Sequence, residues 1–171
     1  MTNATVTREH GRASVRLERR LRDHPTTVWR SLTDRELLRS WFPCDVVVDG
    51  GRWVLGAAIS FTFPPDVIDM TLTGDVLDAE EGSRLSFRWG DEILRFELSE
   101  VGSDTLLVLV DELSPSHAAR NAAGWEDCLD RLMGRAVAPH TWRERFAQYQ
   151  RDFEPILGPQ EGPPAGYKGT L

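Results

Sequence analysis

A single change of hydrophobic period, near residue 114, constrains this chain more than any other feature. From residue 45 to 113 the apolar residues recur at every second position in about six short runs separated by Gly, Asp and Pro. The runs are "DVVVDGGRWVLG", "AAISFTF", "DMTLTGDVLDA", "RLSFRW", "EILRFELSE" and "TLLVLVDEL". Ile59, Phe61 and Phe63 share one face, as do Met70, Leu72, Gly74 and Val76. Leu85, Phe87 and Trp89 form another such set, and Leu94, Phe96 and Leu98 another. Period two marks half-buried strands, and strands at such short spacing pair as an antiparallel meander. Gly90-Asp91 suits a tight hairpin, and the Gly50-Gly51 pair suits a turn or bulge. "TLLVLVDEL" is apolar on both faces and reads as an interior strand.

After Ser114-Pro115, an N-cap and first-turn pair, the period becomes helical. Ala118, Ala122, Trp125, Leu129 and Leu132 make an apolar stripe, and Gly134 ends it. Glu126, Asp127, Asp130 and Arg131 lie off the stripe and read as a solvated face, with Asp127 and Arg131 spaced for an i,i+4 pair. Upstream, "SVRLERRL" alternates like a strand whose phase slips at Arg19. "HPTTVWRSLTDRELLRSWF" reads as two short helices, the second capped by Thr33 or Asp34. A curved sheet and one amphipathic helix must bury their apolar faces against each other, which gives an α+β fold with the sheet wrapped around the helix. The expected partition is a flexible N-terminus over 1–13, a sheet–helix domain over 14–134, an additional helix over 135–154 and a Pro/Gly-rich tail over 155–171.

Composition excludes several classes of function. The net charge of −7 argues against nucleic acid and anionic membranes as partners. No apolar run approaches the ~20 residues of a transmembrane helix. "MTNATVTREHGRAS" lacks a signal-peptide core, so the cytoplasm is the expected location. His10, His24, His117 and His140 are scattered, and Cys44 and Cys128 are isolated. No metal spacing, nucleophile elbow or phosphate-binding glycine loop appears, so neither a metal nor a cofactor is expected. The two cysteines read as packing thiols.

Two stretches carry a family resemblance. Val28-Trp29 and Leu32-Thr33-Asp34 lead to Trp41-Phe42, and Gly124-Trp125 leads to Cys128-Leu129-Asp130. With the strand block between them, over roughly 14–134, the chain resembles the Hsp90-ATPase-activator-homologue (Aha1-like) family of the START-like (SRPBCC) helix-grip superfamily. The resemblance implies a helix-grip fold with a cavity between sheet and C-terminal helix. The superfamily includes lipid carriers, aromatic-polyketide cyclases, hormone receptors and co-chaperones, so the resemblance implies less about activity.

Gly124 in a helix interior costs roughly 1 kcal/mol relative to alanine, which calls for either a close contact or a cavity beside it. Trp125 is accordingly either core or the wall of a pocket, and Ala118, Ala119, Ala122 and Ala123 leave room next to it. If the cavity is open, its expected lining is Trp41, Trp53, Phe61, Phe63, Met70, Trp89, Asp111, Trp125 and Leu129. That set suits a small apolar or aromatic ligand held without catalysis. Asp111 shares its strand face with Leu107 and Leu109, so it is a candidate anchor or base, with His117 as a candidate partner. The alternatives are a chaperone-type protein-interaction module using the sheet surface and a cyclase-like or hydrolase-like enzyme. The sequence is silent on oligomeric state.

Overall fold

The computed structural model describes residues 4–168. Eight antiparallel strands lie in the order β1-β2-β8-β7-β6-β5-β4-β3. They are β1 (Thr5–Glu9), β2 (Arg12–Leu21), β3 (Asp45–Val48), β4 (Ala58–Thr62), β5 (Thr71–Glu80), β6 (Arg84–Trp89), β7 (Glu92–Val101) and β8 (Asp104–Leu113). The helices are α1 (Pro25–Thr33), α2 (Arg35–Leu38), α3 (Ala118–Leu132) and α4 (Thr141–Leu157). The chain therefore has the expected α+β architecture, with the sheet's inner face and α3 sharing one core.

The local chemistry explains the elements. Asp34 caps α2 by accepting from the N–H groups of Glu36 and Leu37. The β6–β7 loop is the two residues Gly90 and Asp91, with Gly90 at φ 65° as a tight hairpin requires. β8 is interior, between β2 and β7. In β2 the alternation runs unbroken through Ala13, Val15, Leu17, Arg19 and Leu21, all buried, so the expected slip at Arg19 does not occur. An arginine can keep its stem on the core side while its head reaches a polar group, and here Arg19 Nη1 donates to the Glu18 carbonyl.

Both ends of the chain depart from expectation. Residues 1–3 of the expected flexible arm lie outside the described residues, and 4–13 are ordered: Thr5–Glu9 pairs with β2 as an edge strand, and the Ala4 N–H donates to Tyr149 Oη at 3.1 Å. The polar outer face of an edge strand hides its periodicity. The Ser114-Pro115 pair opens a 3-10 turn, and α3 starts only at Ala118. The 155–171 segment is not loose as far as residue 168: α4 continues through Leu157, and the residues beyond it are tied to α3.

The acidic residues of α3 are the largest correction. Glu126, Asp127 and Asp130 are buried under α4 rather than solvated. Arg145 of α4 meets all three: Nε lies 3.3 Å from Glu126, Nη2 2.5 Å from Asp130, and Nη1 bonds Asp127. Tyr149 Oη donates to Glu126 at 2.5 Å. Burial holds the Asp127 carboxyl above its usual range even with the guanidinium against it. An amphipathic helix here has two buried faces, one on the sheet and one under a second helix.

Gly124 belongs to that second face. A Cβ built there meets only Trp142 Nε1 of α4, at an ordinary 3.8 Å, so neither a tight contact nor a cavity explains it. Gly74 is the glycine that the fold requires. β5 pairs with β4 up to Asp75 and with β6 from Val76, and a Cβ at Gly74 would lie 1.7 Å from the Arg88 carbonyl oxygen. Denaturant melts should therefore separate the two. Gly124→Ala should gain about 0.5–1 kcal/mol. Gly74→Ala should lose about 3 kcal/mol. Equal effects of the two changes would contradict this packing.

Candidate functional site

Phe42, which follows α2, is the hub of an aromatic cluster under the sheet's inner face. Its ring centroid lies 5.5 Å from Trp41, 5.5 Å from Trp125, 6.1 Å from Trp89, 6.4 Å from Phe61 and 6.5 Å from Phe87. Trp89 and Trp125 are 5.3 Å apart, Phe63 and Trp89 6.0 Å, and Trp53 and Phe87 5.5 Å. Trp41 Nε1 donates to the Ser31 carbonyl and Trp53 Nε1 to the Thr33 carbonyl, which locks the short helices onto the cluster. Seven of the nine expected lining residues thus share one region: Trp41, Trp53, Phe61, Phe63, Trp89, Trp125 and, beneath Trp125, Asp111. Leu129 is fully buried on α3, and Met70 lies just before β5, half-buried.

These rings fill the space between sheet and helix. The gap bounded by Leu32, Leu38, Trp41, Phe42, Val46, Trp53, Phe87 and Phe96 has no room for a water molecule. Trp41, Phe61, Trp125 and Leu129 are each no more than 2% exposed, so in this conformation they are core. Open space lies beside this packed core, next to α2. A cleft of about 320 Å³ runs between the end of α2 and the segment after β4, lined by Arg39, Phe42, Pro43, Cys44, Asp45, Thr62, Phe63, Pro64 and Pro65. Phe42 and Phe63 form its aromatic floor, and both touch Trp89 behind them. Asp45 closes one side, bridged by Arg35 at 2.7 Å and Arg39 at 3.3 Å; the Arg35 hydrogen bond, followed by that of Arg39, lowers its carboxyl to about 2. Burial pushes the thiols of Cys44 and Cys128 up, Cys128 to about 12, so both are protonated packing groups. Cys44 sits beside the Trp89 indole, whose Nε1 has no hydrogen-bond partner among the described residues.

A buried carboxyl pair stands behind the aromatic wall. Asp111 Oδ2 accepts from Trp125 Nε1 at 2.8 Å and from Asn121 Nδ2 at 2.9 Å. Asn121 Nδ2 also reaches Glu92 Oε2 at 3.0 Å. Asn121 and Trp125 are one turn apart on α3, so the two carboxyls pin that helix to β7 and β8. Burial, and then the adjacent Asp111 charge, raises Glu92 to about 9. Burial raises Asp111 less, to about 6, because Asn121, Trp125 and Glu92 stabilise its charged form. A proton on Glu92 gives Asp111 a further donor, which its otherwise unpartnered Oδ1 calls for. His117 is not part of this group; its Nε2 meets Glu161 at 3.0 Å.

Glu92 and Asn121 were not among the expected site residues. Glu92 has a legible signal, because it continues the inward register of Leu94, Phe96 and Leu98 by one step. A carboxyl whose folded pKa is raised stabilises the fold below its unfolded value, near 4.3, and loses that contribution as pH rises towards the folded value. Glu92→Gln keeps the acceptor for Asn121 and places a permanent donor beside Asp111. Its stability relative to wild type should rise steadily from pH 5 to pH 8.5, on the order of 1 kcal/mol per pH unit. A constant difference across that range would contradict a shared proton.

The arrangement of meander, gripped helix and preceding helix pair is one that known proteins share. The family model for the Activator of Hsp90 ATPase homolog 1-like protein matches residues 24–136. The chain belongs to that family. This Aha1-like chain also shares its fold with solved structures. A conserved protein of unknown function from Enterococcus faecalis, EF2215, is 24% identical at a TM-score of 0.75, covering 90% of this chain and 91% of its own. CalU16 from Micromonospora echinospora is 21% identical at 0.67, covering 88% and 96%. A protein encoded by gene BPP1335 of Bordetella parapertussis is 21% identical at 0.63, covering 94% of each. None of the curated proteins matches the chain. Among the described residues, no helix is long and apolar enough to cross a membrane, and no group of His, Cys, Asp and Glu is placed to hold a metal.

Proposed function

We propose that this Aha1-like protein binds a small, flat aromatic or apolar molecule in the cleft over Phe42 and Phe63, without covalent chemistry. The observation that carries this reading is a filled interior combined with an open, aromatic-floored cleft of about 320 Å³ beside it. That volume stands at the lower end of ligand sites, which suits one or two rings rather than a long acyl chain. Asp111 is fully buried and bonded to α3, so its role is to hold Trp125 against the cleft's aromatic wall. A second reading, an interaction module, draws on exposed Val54 and Leu55, which are 55% and 78% accessible.

Titration with naphthoic acids, anilinonaphthalenesulfonate and a fatty-acid series, followed by tryptophan fluorescence, tests the proposal. The two-ring compounds should bind saturably. Phe63→Ala should weaken them about tenfold while melting close to wild type, because Phe63 is only half-buried. Absence of saturable binding by wild type would reject the cleft as a ligand site and leave the interaction reading.

A further inference from the structure

The irregular segment after α4 is fastened at both ends. Near α4, Gln160 is buried; its Oε1 accepts from the Ala119 N–H at 2.9 Å and its Nε2 donates to the Pro115 carbonyl at 3.0 Å. The Glu161 N–H donates to the Ser116 carbonyl at 2.8 Å, and Arg120 donates to the Gly162 carbonyl at 2.9 Å. These bonds seat the segment on the first turn of α3, which has no side-chain cap of its own at His117. Further on, Tyr167 is half-buried, with Asp127 and Arg131 of α3 near its hydroxyl. At the far end the Lys168 N–H donates to the Val67 carbonyl at 2.5 Å.

Val67 belongs to the β4–β5 connection, where the N–H groups of Val67 and Ile68 both donate to the Pro64 carbonyl. The same connection supplies Phe63, Pro64 and Pro65 to the cleft. Ile68 is buried but lies apart from the main core cluster, so beyond Phe63, which packs on Trp89, the connection is held by local contacts. We propose that residues 158–168 form a strap that holds the β4–β5 connection inward, so that release of its Lys168 end widens the cleft and admits ligand. This rests on the ligand reading above and names how that site is regulated. The strap's near end carries several side-chain and backbone bonds. Its far end carries one backbone bond and the half-buried Tyr167 ring among the described residues, fewer ties than the near end, so the far end opens first.

The test uses the full chain with two variants. Lys168→Pro removes the N–H that reaches Val67, and Gln160→Ala loosens the anchored end. Amide exchange at Val67 and Ile68, and the association rate of anilinonaphthalenesulfonate, are measured in both variants and wild type. Exchange about tenfold faster at those two amides in each variant, with faster dye association, supports the strap. Unchanged exchange at Val67 and Ile68 in both variants overturns it, whatever the dye does. Faster exchange with no dye binding by any of the three proteins supports a strap on the connection and overturns its role in ligand entry.

Discussion

Arg145→Met should lower the stability of the protein by about 3–5 kcal/mol, because removing one partner of a buried ion cluster leaves the other charges uncompensated. Here three carboxylates, Glu126, Asp127 and Asp130, share that single guanidinium at the α3–α4 contact. Asp130 has a second cation in Arg135 at 3.4 Å, and Glu126 has the Tyr149 hydroxyl, while Arg145 reaches all three. The methionine preserves most of the packing of the stem, so the loss reports the charge. Neutralising the carboxylates in the same background (Asp127→Asn with Asp130→Asn) should recover much of it. Guanidinium melts of the single and combined variants decide. A loss under about 1 kcal/mol would mean that the cluster is solvated and worth no more than a surface pair.

Trp125→Ala should cost about 3–5 kcal/mol, the range for deleting a large aromatic from a packed core. Trp125 is 2% exposed and packs against both Phe42 and Trp89. The truncation also removes the indole donor from Asp111, a carboxyl with no solvent exposure. Trp125→Phe separates the two effects. It keeps a ring in the cluster but not the N–H, and should cost about 1–3 kcal/mol for the weakened satisfaction of Asp111. Chemical denaturation of both variants provides the comparison. If Trp125→Ala melts like wild type, the helix has space around this residue and the interior is not closed.

The strand block was legible because each run buries one face and alternates accordingly, as Leu85-Phe87 and Leu94-Phe96-Leu98 do. The gripped helix was legible from Ala118, Ala122, Trp125 and Leu129. What escaped was burial that comes from a second partner. Asp127 and Asp130 look like surface residues until α4 brings Arg145 to them from 18 and 15 positions away. β1 escaped because four of its five residues are exposed. Gly124 drew attention for its helix penalty, whereas the glycine without alternative is Gly74, whose constraint is a carbonyl from a neighbouring strand. Of the site, the aromatic residues could be read as one group, because the fold gathers Trp41, Trp89 and Trp125 around one point. Whether their rings leave space depends on rotamers and on Phe42 at the centre, which periodicity does not encode.

If the interior is closed and ligand binds in the cleft beside Phe42 and Phe63, a bound aromatic will perturb the cleft and not the gripped helix. Amide chemical-shift mapping with 2-naphthoic acid tests this most directly. Shifts should concentrate at Phe42, Cys44, Asp45, Thr62 and Phe63, with Ala118, Ala122 and Leu129 on α3 unmoved. Shifts centred on those α3 residues would show that ligand enters between sheet and helix, and would contradict a closed interior.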